Sequence, residues 1–186
     1  MPILGSQPDL FPEDLLDRPA PESGYSWSVA HTLPRREKDL MRRLHQGGIG
    51  FYGPTVPRRF RSPNGRKRVS FVPLFAGYVF TYTSEDQRLA LYETNAICQI
   101  LPVGDGPRLV SDLCQIRRLI ATDAPLTPEA RLEKGNLVRI RSGPMQGLEG
   151  IVVQRRGHSR LLVAVEFLKV GASVQLDDCE LERIGN

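Results

Sequence analysis

Apolar positions along the 186-residue chain recur with two different periods, and the change between them divides the sequence. Trp27-Ser-Val-Ala-His-Thr32 reads as a strand. After Leu33-Pro34, residues 35–46 set Glu37, Leu40, Met41 and Leu44 at helical spacing, and Gly47-Gly48 ends that helix. Residues 51–60 are extended but interrupted by Pro54 and Pro57, which suits an edge or irregular strand. Asn64-Gly65 lies at the centre of residues 61–68 and favours the positive φ angles of a hairpin tip. Residues 71–83 return as a largely apolar strand. Ser84-Glu-Asp-Gln87 then supplies a capping box for a helix on which Leu89 and Tyr92 share a face. Residues 97–103 form a further strand, and Ser111 can cap a last helix with Leu113, Ile116 and Ile120 inward before Pro125 and Pro128 break the chain. Strand, helix, strand, strand, helix, strand, helix is the split β-α-β order of a ferredoxin-like sandwich with one extra helix.

From Arg131 the period becomes two. Val138 and Ile140 alternate with Arg139 and Arg141, and Leu161, Val163, Val165 and Phe167 set apolar groups on one side. Several short strands within about 55 residues bury a core by curling into a small SH3-like all-β barrel, which also removes sheet edges. The expected fold class is therefore α+β, an α/β sandwich followed by a barrel. Residues 1–24, with five prolines and acidic groups, are expected to be a disordered leader, 25–121 the first domain, 122–130 a linker and 131–186 the barrel.

Charge sharpens this division. The formal net charge is +4, but residues 1–26 carry −4, 27–70 carry +9, 71–130 carry −3 and 131–186 carry +2. The basic stretch comprises Arg35, Arg36, Arg42 and Arg43, expected as a stripe along the first helix, and Arg58, Arg59, Arg61, Arg66, Lys67 and Arg68 around the hairpin. Such a field suits a polyanion, of which nucleic acid is the commonest inside cells; a solvated basic face is the plain alternative. The three cysteines have no paired spacing, so neither a disulfide framework nor a zinc site is supported, and a reducing, cytoplasmic setting is expected. Residues 69–84 are uncharged but too short and too broken by Pro73 and Gly77 to span a bilayer. No membrane partner is expected.

Val138-Arg-Ile-Arg-Ser-Gly-Pro-Met-Gln-Gly-Leu-Glu-Gly-Ile-Val152 resembles the KOW motif of ribosomal and transcription-elongation proteins, with Gly143, Pro144, Gly147 and Gly150 forming its turn. Trp27-Ser-Val-Ala-His-Thr, then Glu37, then Pro73-Leu-Phe-Ala-Gly-Tyr-Val-Phe80 are similar to the N-terminal domain of NusG proteins, and Val69-Ser-Phe-Val-Pro-Leu-Phe75, preceded by the basic hairpin, looks closer to specialised paralogues of the RfaH type than to the housekeeping protein. The resemblance implies a transcription elongation or antitermination factor, with no enzyme activity and no cofactor, that modulates pausing or termination. It implies a monomer that docks on the clamp helices of bacterial RNA polymerase, beside upstream DNA near the transcription bubble. The docking patch it implies is Trp27, Phe75, Gly77 and Tyr78. The KOW domain would recruit a further partner, a ribosomal protein or a termination factor, through Phe167 and Leu168.

The chain departs from the family at some positions. Ala76 stands where proline is usual, and Leu168-Lys169-Val170 replaces the Phe-Gly-Arg turn that meets a ribosomal protein. The rival class is a ribosome- or RNA-associated KOW protein. Chemistry for an enzyme is sparse, since His31, His45 and His158 are dispersed, no nucleophile motif accompanies them and no metal-ligand spacing occurs.

Overall fold

The structure is a computed structural model that describes residues 7–18, 22–61, 63–132, 135–176 and 180–184. The chain divides into two compact units, Met1–Gly106 and Pro107–Asn186.

In the first unit, β1 (Leu10–Phe11), β2 (Tyr25–Thr32), β3 (Gly50–Tyr52), β6 (Tyr78–Ser84) and β7 (Ile97–Pro102) make an antiparallel sheet in the order β1-β3-β6-β2-β7. Helices α1 (Glu37–Gln46) and α2 (Glu85–Tyr92) connect its strands. Leu40, Met41 and Leu44 of α1 and Leu91 of α2 join Ala30, Phe51, Val79 and Ala96 in one buried cluster. That accounts for the helical spacing read along 37–44. The capping box of α2 forms as expected, Ser84 accepting from the Gln87 N–H and Gln87 from the Ser84 N–H. Leu91 is the residue α2 buries, so the face shared by Leu89 and Tyr92 is exposed.

The sheet's opposite face is an aromatic ladder. Directly paired residues share a face, and Trp27↔Tyr82, Val29↔Phe80 and His31↔Tyr78 follow one another along β2 and β6, with Tyr52 of β3 beside Phe80. Ring centroids lie 5.3 Å apart for Trp27 and Tyr82 and 5.0 Å apart for His31 and Tyr78.

Both long strands of the sequence reading divide in two. At Gly53-Pro54 the chain leaves the sheet, and β4 (Thr55–Arg61) pairs with β5 (Lys67–Pro73) as a separate two-stranded ribbon. Its tip holds Asn64-Gly65 with Gly65 at φ +75°, as the turn chemistry requires. The chain returns to the sheet only after the bend at residues 74–77.

The leader needs correction over its described part. Leu10 and Phe11 pair with Tyr52 and Phe51, and Leu15 and Leu16 are buried. Two isolated apolar pairs show no period in sequence, yet each finds a place against the sheet. The remaining leader residues, 1–6 and 19–21, lie outside the described residues.

In the second unit, α3 (Gly106–Ala121) opens six residues earlier than a cap at Ser111 suggests, with Pro107 in its first turn, where a missing N–H costs nothing. It buries Leu109, Leu113, Ile116 and Leu119, while Ile120 is only half-buried. The expected linker is also partly structured. Leu126–Glu129 forms β8 and pairs with β12 (Val170–Gln175) at the edge of a six-stranded antiparallel sheet ordered β13-β9-β10-β11-β12-β8. There β9 is Leu137–Ile140, β10 Glu149–Arg155, β11 His158–Val165 and β13 Leu181–Arg183. Val138, Ile140, Val153, Leu161, Val163, Val165, Ala172 and Val174 form its core. Phe167 departs from the alternation, because a 3-10 turn at Glu166–Leu168 ends the strand before it and leaves the ring exposed.

Candidate interaction surfaces

Three surfaces collect the residues singled out by sequence. The first is the turn before β6. Gly77 adopts φ +85°, a conformation that L side chains disfavour. Its N–H donates to Glu37 Oε1 at 2.7 Å and its carbonyl accepts from the Thr32 N–H at 2.8 Å. Glu37 is 7% exposed, so a buried carboxylate at the start of α1 fixes the turn. Tyr78 follows, half-exposed, with its ring held flat against His31 at an interplanar angle of 20°. Trp27 and Phe75 are both buried. Phe75 is 5% exposed with its ring edge-on to Phe80, and Trp27 is 7% exposed beside Tyr82. Of the four docking candidates, then, Gly77 and Tyr78 reach the surface, Phe75 is buried against Phe80, and Trp27 is buried four residues further along the strand pair, opposite Tyr82.

The second surface is basic, and the structure splits it. The expected stripe along α1 does not form, since Arg35 precedes the helix at φ +64° and Arg36 is its N-cap residue. The cause is Leu33-Pro34, which starts a turn closed by the Arg36 N–H to the Leu33 carbonyl. Arg36, Arg42 and Arg43 instead gather round Asp39, with nitrogen to oxygen distances of 3.5, 3.4 and 3.3 Å. Positions three and four residues from Asp39 meet on a helix, so this spacing was already in the sequence.

The ribbon differs. Arg58, Arg59, Arg61, Arg66, Lys67 and Arg68 are exposed, and none forms an ion pair with a described carboxylate. Phe60, Val69 and Phe71 are exposed among them.

The third surface lies in the second unit. Gly143 and Gly147 both take φ +82°, with the Gly147 N–H closing onto the Ile140 carbonyl at 2.7 Å. Gly150 serves close approach instead, because a Cβ there would stand 2.5 Å from the Leu162 carbonyl oxygen. Pro144 lies in the turn between the first two glycines. Helix α3 reads this turn through its backbone: Arg118 donates to the carbonyls of Gln146 and Gly147, and Gln115 accepts from the Glu149 N–H. One turn earlier, Asp112 accepts from the Glu166 N–H at 3.0 Å, ahead of Phe167 and the half-buried Leu168. Burial pushes the Asp112 carboxyl above its ordinary value, against the opposing pull of that hydrogen bond and of Arg108. No local signal marks these contacts in the sequence, since their partners stand 28 to 54 residues further along the chain.

Among the described residues no group of three His, Cys, Asp or Glu side chains is placed to hold a metal ion, and no helix is long and apolar enough to cross a membrane.

A family model described as "Transcription termination factor nusG" matches residues 25–119, just over half of the chain. No individual curated protein matches it significantly.

Proposed function

The chain belongs to the NusG family of transcription factors, and from that premise we propose that it is an elongation and antitermination factor that docks on the clamp helices of RNA polymerase. Membership itself carries the coarser statement, a role in transcription elongation or termination. The finer reading rests on the Gly77–Tyr78 turn. A docking surface gains affinity from a rigid aromatic group whose geometry is set before the partner arrives. Tyr78 meets that description, with its backbone fixed by Glu37 and Thr32 and its ring braced by His31.

Other features support the remaining parts of the reading. The order β7-β2-β6-β3 with two connecting helices suits a ferredoxin-like sandwich, and the sheet of the second unit with its glycine turn suits an SH3-like KOW barrel. Phe167, 38% exposed on the 3-10 turn, is the group by which that barrel would take a further partner, a ribosomal protein or termination factor. The uncompensated ribbon faces the DNA beside the bubble, and its extension ahead of the turn fits a specialised RfaH-like paralogue. The protein acts by binding, as a cytoplasmic monomer without a cofactor.

Co-purification of the tagged full-length chain with core RNA polymerase tests this. Tyr78→Ala is expected to weaken the complex by about 1–3 kcal/mol, with the fold intact by circular dichroism. Absence of polymerase, or a folded variant that binds as the parent does, overturns the docking.

A further inference from the structure

The leader lies ahead of the family match, which begins at residue 25, and part of it sits on the sheet face that carries Tyr78. Strand pairing fixes the side. Tyr78 pairs with His31, Tyr82 with Trp27 and Gly50, and Tyr52 with Phe80 and Leu10, so these residues share the aromatic face. Phe11 takes the other face, its ring edge-on to His45 of α1. A Cβ on Gly50 would stand 3.5 Å from Leu15 Cδ1 and 3.4 Å from the Tyr82 Cβ, so Leu15 occupies the space beside Tyr82 that a side chain at position 50 would enter. The Gly53 N–H donates to the Asp9 carbonyl at 2.7 Å, and the Glu22 N–H donates to the Tyr82 hydroxyl at 2.6 Å. Leu15 and Leu16 are buried, with Glu13, Asp14 and Asp17 exposed around them. The ladder therefore has an open end at the half-exposed Tyr78 and a closed end at Tyr82, four residues and about 13 Å along the same strand.

We propose that the leader is a removable cover, in which residues 9–18 occupy the Tyr82 end of the docking face until the clamp helices of the polymerase displace them. The proposal rests on the docking reading given above. Its attachment is slight for what it covers. Strand β1 meets β3 at two positions, whereas β2 meets β6 at seven. Residues 12–17 are bonded to one another through single turns, Leu15 N–H to the Pro12 carbonyl and Asp17 N–H to the Asp14 carbonyl. A segment on a sheet edge with few buried apolar groups opens at a lower free energy than the sheet itself. Leu15 and Leu16 on their turn also resemble what a partner helix offers, apolar side chains one turn apart or less. A helix with its side chains is about 10–12 Å across, so one seated on Tyr78 reaches towards the Tyr82 end and meets the leader there. Displacement would free the Tyr82 ring and its hydroxyl as a second rigid aromatic contact. A closed cover lowers apparent affinity by the fraction of chains in which it is open, and an open state populated at about 0.1–10% costs at least about tenfold.

Hydrogen exchange of the full chain, alone and with core RNA polymerase, tests this without any substitution. Alone, the Gly53 and Leu15 amides should exchange together and ahead of the paired amides of β2 and β6. With polymerase, residues 77–82 should gain protection while residues 9–18 lose it. A second measurement uses Leu15→Ser with Leu16→Ser in the full chain, which should bind polymerase at least about tenfold tighter than the parent. If that variant misfolds, the exchange of the parent decides alone. Leader amides as slow as those of the sheet in the free chain, protection of residues 9–18 kept or gained in the complex, or a folded variant that binds no tighter each overturns the cover while the docking stands. Polymerase that binds neither chain and alters exchange in neither segment overturns the docking reading, and the cover with it.

Discussion

Helix α1 and the β4–β5 ribbon carry the same kind of charge in opposite electrostatic settings. On α1, Arg36, Arg42 and Arg43 converge on one carboxylate, and the apolar residues of the helix are buried. On the ribbon, six cations have no described carboxylate partner, and two phenylalanines stand exposed between them. Exposed ion pairs of the α1 kind contribute little to stability, about 0–1 kcal/mol each. Their effect on the local field is larger than that suggests, because Asp39 offsets charge that a phosphate would otherwise meet. A basic segment thus offers a polyanion a net field to the extent that its charge is uncompensated.

Removing ribbon charge has the largest expected effect. Changing Arg58, Arg59 and Arg61 together to alanine should lower the slope of log affinity against log salt for DNA by about 2 to 3, since each phosphate contact contributes about 0.7 to 0.9. Near 0.1 M salt the affinity should fall about a hundredfold. Titrations of the full chain at several salt concentrations measure both. An unchanged slope would mean that the ribbon is as inert as a compensated helix.

A smaller effect of opposite sign is expected from Asp39→Asn. Releasing Arg36, Arg42 and Arg43 from their shared carboxylate should raise DNA affinity about threefold at low salt, an increment in the range of an exposed ion pair. Arg42→Ala with Arg43→Ala in the parent should cost less than about fivefold. If that pair of changes weakens binding as much as the ribbon triple does, compensation by Asp39 does not distinguish the two regions.

Much of this was legible in the sequence because local and tertiary preferences agree. The spacing of Leu40, Met41 and Leu44, the Ser84-Gln87 box and the Asn64-Gly65 tip each carry their own geometric cause, and each forms where the spacing places it. What escaped was decided by partners distant in sequence. Leu10-Phe11 is too short to show a period and becomes a strand only because the edge of β3 is free to pair. Leu126–Glu129 looks like a proline-broken linker and becomes β8 by pairing with β12, far along the chain. The site divides the same way. Gly77 and Tyr78 could be placed on a turn, but the burial of Trp27 and Phe75 follows from packing against rings of β6, Tyr82 and Phe80. The spacing of Arg35 and Arg42 suits one helical face, and the Leu33-Pro34 turn takes Arg35 out of the helix.

The smallest expected effect concerns how far compensation reaches when a carboxylate is buried. Asp39, with its side chain 25% exposed, sits among three guanidinium groups, whereas Asp112, whose side chain is 11% exposed, has Arg108 at 3.2 Å and the Glu166 N–H as partners. Burial outweighs both and raises its carboxyl above the ordinary 3.8. With a folded-state value above the unfolded one, the folded protein holds the proton more readily between those two values. Stability contributed by protonated Asp112 is therefore present at low pH and lost as pH rises through the raised value. Asp112→Asn keeps an oxygen to accept the Glu166 N–H and cannot ionise. Thermal unfolding of the full chain from about pH 4 to about pH 7 should then show the parent losing stability relative to this variant as pH rises. The opposite trend would mean that Arg108 outweighs burial, and that ion pairing governs the carboxylate of α3 as it governs that of α1.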